Sequence, residues 1–277
     1  MALTCVTSDS ETFVAASRDR SLTLFKNGES IKTVKLPGDT FLVRYINGEL
    51  ISATEHGKLT VLNQNFEVLK SFVTHEGPTG SIRTLTGNDK YIVSGNMNGV
   101  VRYYNRAGGK LPANVSFFSN TQKYYQVYYH GGKIYSIDID NEILVSGSKD
   151  KKVQVWNLAT DSKLFEASHD DIVHCVKVVG KIILSCAATT LRIWNLGDGE
   201  LLHEHKLPGW CWNCDMNREK TLLAVALHDG VSLWDFRNLV QIKEIKLDGV
   251  TDVRFNEPGT TLIVGQFNGQ VSKIGLY

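Results

Sequence analysis

Short apolar runs and polar clusters alternate along the whole chain, and the clearest unit lies between Glu142 and Leu158. Ile143-Leu144-Val145 leads into Ser146-Gly147-Ser148, a Lys149-Asp150-Lys151-Lys152 turn follows, and Val153-Gln154-Val155-Trp156 leads out. β-Branched residues on both sides of a polar turn predict a hairpin. Asp150 suits the turn because its short side chain can bond the backbone just after it. Six more segments align on this one without gaps: Ala15 to Phe25, Ser52 to Leu62, Ser94 to Tyr104, Leu184 to Trp194, Ala224 to Trp234 and Val264 to Ile274. The closing residues Phe25, Leu62, Tyr104, Trp156, Trp194, Trp234 and Ile274 are spaced by 37, 42, 52, 38, 40 and 40 residues. A period of about 40–45 residues predicts repeated sheets of four short strands.

The Ser146-Gly147-Ser148, Asp150 and Trp156 pattern resembles a WD40 repeat, in which an SGSxD turn precedes a strand ending in Trp-Asp. Asn157 takes the place of that Asp. The resemblance covers essentially the whole chain. It implies an all-β fold, a seven-bladed WD40-type β-propeller, as a single domain over residues 1–277. The first blade reads as complete, with Leu3 to Val6 innermost and Ser30 to Lys35 outermost. The seventh runs Val250 to Phe255, Thr261 to Gly265 and Gln270 to Ile274. It is therefore expected to lack its outer strand, leaving an edge that is a template for another strand. The alternative register pairs Met1 to Val6 with blade seven.

The resemblance also implies a structural set in each blade: a His before the innermost strand, a Ser or Thr on the second, an Asp in the turn, and the Trp. In blade four these are His130, Ser146 or Ser148, Asp150 and Trp156. In blade five they are His169, Ser185 and Trp194, with Ala188 in place of the Asp. In blade six Trp234 matches, with His228 at the Asp position and Asp229 after it. In blade three Asn98 and Tyr104 stand in, and His75 lies three residues too early. Blade four is therefore expected to be the most rigid.

The long interval between Tyr104 and Trp156 holds Val115 to His130, with Phe117, Phe118, Tyr124, Tyr125, Tyr128 and Tyr129. Two readings stand: an overlong outer strand whose aromatics pack on the blade, or an aromatic surface for a partner.

Charge narrows the function. Thirty basic and 29 acidic residues give a net charge of +1, no electrostatic footprint for nucleic acid or an anionic membrane. Met1-Ala2-Leu3-Thr4 has no basic or apolar leader pattern. No apolar run approaches the ~18 residues that span a bilayer. Five cysteines at irregular spacing fit reduced thiols inside a cell, cytoplasmic or nuclear.

Chemistry-bearing motifs are few. Cys211-Trp212-Asn213-Cys214 superficially matches a redox CxxC, but that motif needs a helix N-terminus. Here it falls on an innermost strand, where residues three apart face opposite ways. His203-Glu204-His205 is surface alternation on an outer strand, not a helical HExxH zinc arrangement. No G-x-S-x-G elbow, phosphate loop or dinucleotide fingerprint is present. Asn114-Val115-Ser116 matches a glycosylation acceptor only by pattern. No cofactor or metal is expected.

In the family, the residue before the turn Asp faces the central opening. Here those residues are Arg18, Glu55, Met97, Lys149, Ala187, Leu227 and Phe267. Ile172 and Trp210 begin innermost strands on the same rim. Ile172, Trp210, Leu227 and Phe267 are expected to form one exposed apolar sector, the mark of an interaction site; plugging of the channel by the same side chains is the alternative. Arg18 and Lys149 would select an acidic or phosphorylated ligand. The expected function is a monomeric, non-enzymatic scaffold or adaptor binding a peptide or protein within a larger complex. A ubiquitin-ligase substrate receptor and a propeller enzyme are the alternatives. The ligase role would need an adaptor segment outside these residues, and Glu55 is the sole acid among the opening-facing positions.

Overall fold

In the computed structural model the described residues form 27 strands and no helix. They build seven antiparallel sheets, six of four strands and one of three, each made of strands consecutive in the chain. The structure describes residues 3–8, 12–17, 19–26, 29–36, 40–46, 48–54, 56–63, 65–75, 80–106, 125–256 and 259–276. Innermost strands are Leu3–Ser8, Thr40–Ile46, Ile82–Gly87, Ile134–Asp140, Val173–Val179, Cys211–Met216 and Val250–Phe255. Each packs on its neighbours in the next blade, and Leu3–Ser8 packs on Val250–Phe255 and Thr261–Gln266, which closes the ring.

The burial of the second strands explains their sequence. Tyr91–Asn96, Ile143–Ser148, Ile182–Ala187 and Leu222–Leu227 are buried almost end to end, because a blade covers each face. They therefore read as continuous apolar runs rather than as alternation. Outer strands such as Val240–Lys246 are exposed along most of their length. Gly147 lets two blades close up: a Cβ there would stand 2.6 Å from Val173 Cγ1.

Leu3–Ser8 pairs with Thr12–Ser17, not with blade seven. Blade seven is the three-stranded sheet, and its third strand is Val271–Gly275. In the long interval, Tyr125–Tyr129 is the outer strand of blade three. Tyr128 is buried and stacks on Trp156, whereas Tyr129 is exposed. Phe117, Phe118, Tyr124 and Asn114 lie outside the described residues.

The cysteines correct the expectation of reduced thiols. Cys175 and Cys214 form a disulfide between the innermost strands of blades five and six, with Cα atoms 6.0 Å apart. Such strands place side chains 39 residues apart in sequence within bridging reach. Cys186 and Cys211 are free and buried, and burial pushes the Cys211 thiol up.

Candidate binding site at the channel mouth

Each innermost strand skips one residue in its ladder with the second strand, near the end that faces the hairpin turns. The skipped residues are Thr4, Phe41, Arg83, Tyr135, His174, Trp212 and Thr251, one per blade. A β-bulge of this kind re-aims a side chain. Arg83, Tyr135, His174, Trp212 and Thr251 line one cavity of about 170 Å³ in the central channel.

The rim of that cavity is aromatic from blade four to blade seven. The Tyr135 and His174 rings are 4.8 Å apart. His174 meets Trp210 and Trp212 edge to face at 6.0 and 5.7 Å, and Trp212 meets Phe267 at 6.3 Å. Trp210 is 39 % exposed and Phe267 48 %. His174 is only 7 % exposed, and its Nε2 has no hydrogen-bond partner among the described residues. Burial pushes its pKa down to about 4, so the ring is neutral at pH 7. On the other side Met97, Lys133, Tyr135 and Lys149 line a hollow of about 540 Å³. Lys133 Nζ sits 4.4 Å over the Tyr135 ring, a cation–π contact.

One level below, charges of opposite sign alternate. Lys177 Nζ lies 3.7 Å from Asp138 and 3.3 Å from Asp215, and Arg254 Nη1 lies 3.5 Å from Asp215. Asp138 accepts the Val178 N–H at 3.0 Å and Asp215 the Phe255 N–H at 2.9 Å, so each carboxylate also ties its blade to the next. Burial raises the Asp138 pKa. Burial raises that of Asp215 as well, but Lys177 and Arg254 outweigh it and hold this carboxyl below its usual range. Among the described residues no group of three or more His, Cys, Asp or Glu is placed to hold a metal ion.

The expected site residues scatter. Trp210, Phe267, Met97 and Lys149 are exposed on the hairpin-turn face. Leu227 is a correction to the expected apolar sector: it is 3 % exposed and packs in the core between blades five and six, because the second strand ends inside the ring. Ala187 is buried for the same reason. Ile172 is half-buried. Arg18 and Glu55 lie outside the described residues. Trp212, His174 and Tyr135 were missing from the expected set, since a single extra residue in a strand inverts the facing of every later residue in it.

The structural sets follow the carry-over in blades four and five except at Trp156. His130 meets Ser146 Oγ at 2.8 Å through Nε2 and Asp150 Oδ2 at 2.9 Å through Nδ1. Ser148 instead holds the turn, donating to the Gly132 carbonyl at 2.9 Å. Trp156 stands outside the bonded set, its indole nitrogen unpartnered among the described residues while its ring stacks on Tyr128. Blade five bonds without an acid: His169 and Trp194 both meet Ser185 Oγ at 2.7 Å. His75 meets Ser94 Oγ at 3.0 Å, so the longer loop carries it into place despite its spacing. Trp234 packs edge to face on His205.

This architecture is a seven-bladed β-propeller, and the family description "WD domain, G-beta repeat" matches residues 122–157. The chain is 21 % identical over 286 residues to human apoptotic protease-activating factor 1, across 95 % of this chain and 21 % of that protein. It is 28 % identical over 144 residues to rice small ribosomal subunit protein RACK1y, across 46 % of this chain and 42 % of that one. The chain thus spans less than half the length of these relatives. A chain of a mitotic checkpoint complex crystal structure shares the fold with a TM-score of 0.82 at 14 % identity, over 99 % of this chain and 87 % of that one. No helix among the described residues is long and apolar enough to cross a membrane.

Proposed function

We propose that this chain is a non-enzymatic interaction scaffold that holds a peptide segment of a partner protein at the channel mouth on the hairpin-turn face. The observation that carries the reading is the series of bulges. It turns one residue into the mouth in each of blades three to seven and sets Tyr135, His174 and Trp212 in an arc that ends against Phe267. Aromatic anchors flanked by polar groups favour a peptide whose apolar side chain sits at Trp210, Trp212 and Phe267. Lys133 and Lys149 on the blade-four side favour a nearby acidic group. The unpartnered His174 Nε2 offers a hydrogen bond to a ligand group entering the channel. Asp138, Asp215 and Asp252 are held in ion pairs with Lys177 and Arg254, which weighs against acid–base chemistry at the hub. The relatives support work within assemblies: one is a ribosomal subunit protein and one solved neighbour comes from a checkpoint complex.

Panning a random peptide library on the full chain tests the reading. Enriched peptides are expected to carry an aromatic or aliphatic anchor close to an acid. Trp210→Ala with Phe267→Ala is expected to weaken them at least about 30-fold, the scale of losing one hot spot. Undiminished binding to the double variant would overturn the site.

A further inference from the structure

We propose that Cys186 and Cys211 are an oxidation site, where a hydroperoxide closes a second disulfide across the seam that Cys175–Cys214 already bridges. The new bond tethers the second strand of blade five to blade six, beside the existing tether on its first strand.

Four of the five cysteines meet at this seam. The bulge at Trp212 brings two of them there. In a regular strand Cys211 and Cys214 would face opposite ways. The skipped residue returns them to one face. Cys211 lies opposite Leu227 and Cys214 opposite Val225, which are two residues apart on the second strand. Both cysteines therefore point into the core shared with blade five, a correction to the facing expected from their spacing. Blade five supplies the other two. Cys175 and Cys186 lie directly opposite each other on its first and second strands and belong to the same core. All four side chains are fully buried.

Bonding divides the four into two pairs. Cys175 and Cys214 are joined. Cys186 and Cys211 are thiols, and the Cys211 thiol has Cys186 as a side-chain hydrogen-bond partner. The backbone holds them together as well: the Cys211 N–H donates at 2.8 Å to the carbonyl of Ala188, two residues past Cys186. Two sulfurs are too few for a structural metal site, which takes four ligands. What two adjacent thiols in an apolar core can do is oxidise to each other.

The step balances with hydrogen peroxide as oxidant. The Cys186 sulfur gives up its proton and attacks one peroxide oxygen. The O–O bond breaks, a water leaves, and Cys186 is a sulfenic acid. The Cys211 sulfur then attacks the Cys186 sulfur, the S–O bond breaks, and a second water leaves with the Cys211 proton. Both thiols are oxidised, and the peroxide is reduced to water. Cys186 goes first because burial, with Cys186 alongside, keeps the proton on Cys211.

The test treats the full chain with hydrogen peroxide, alkylates the remaining thiols and maps the tryptic peptides. Trypsin leaves Cys175 in residues 164–177, Cys186 in 182–192, and Cys211 with Cys214 in 207–218. Before treatment, 164–177 is expected to be joined to 207–218, with 182–192 alkylated and alone. After treatment, most of 182–192 is expected to join them in one three-peptide species, and reductant should release it. A chymotryptic cut after Trp212 should then leave 182–192 attached to Cys211 and 164–177 attached to Cys214. Cys186→Ser is expected to keep the first disulfide and form no three-peptide species. Recovery of 182–192 as a free thiol or a sulfinic acid would overturn the proposal. So would its attachment to Cys175 or Cys214, which would mean exchange with the existing bond rather than a second one.

Discussion

His75, His169 and His174 are each nearly enclosed by protein, and this ties folding to pH. Burial pushes His75 down to about 3, helped by the nearby Arg102 charge, and pushes His169 and His174 down to about 4. An unfolded chain takes up those protons below its ordinary value of about 6.5. The folded chain refuses them until the pH is lower still. Stability is therefore full above about 6.5 and falls as the pH drops from there toward 4. At pH 5 the loss is on the order of 2 kcal/mol per histidine. Urea midpoints measured at pH 7, 6 and 5 are expected to fall steadily. This window lies above that of Glu166, which Lys152 holds down to about 2 and whose contribution is lost only in more acid solution. A flat midpoint from pH 7 to 5 would contradict the burial seen here. His169 was legible in the sequence because it sits at the repeat's own spacing from Ser185. His75 was not, because loop length moves a residue in sequence without moving it in space. His174 was hidden by its bulge, which no alternation of apolar and polar residues records.

Single strands contribute through what they carry to the next blade. Lys177 and Arg254 both depend on Asp215, whose side chain is mostly buried. Asp215→Asn leaves two buried cations short of a counter-charge and is expected to cost about 3 kcal/mol or more. The innermost strands of blades five and six are also joined covalently. Reduction of Cys175–Cys214, or replacement of both by Ser, is expected to lower stability by about 2–4 kcal/mol. Thermal melts with and without reductant check this, and the Ser pair should abolish the reductant's effect. At this scale the strands themselves were the most readable part of the chain. A strand covered by a blade on each side must be apolar throughout, and Ile182–Ala187 or Leu222–Leu227 could hardly be anything else. The disulfide was unreadable, since it joins two strands whose adjacency exists only in the ring. The Cys211–Cys214 spacing, set aside on strand geometry, holds no pair: Cys214 bonds Cys175, and Cys211 lies free beside Cys186.

In the whole molecule the seams between blades are unequal. The seam from five to six has the disulfide, and those from four to five and six to seven have carboxylates accepting backbone N–H groups of the next strand. At the seam between seven and one, Leu3–Ser8 hydrogen-bonds within its own blade and packs on Val250–Phe255 and Thr261–Gln266. Phe13, Ala15 and Ile263 pack together there, with Phe25 and Val271 half-covered beside them. A ring whose sheets each depend on both neighbours can open at one seam before the others. Phe13→Ala removes a buried aromatic ring from that seam and is expected to cost about 3 kcal/mol or more. The loss should be local before it is global. Amide exchange in Leu3–Ser8 and Val271–Gly275 is expected to rise well before that in Val173–Val179, where the neighbouring blade is tethered. A uniform rise across all seven blades would mean that the ring opens as one unit, with no weak seam between its ends.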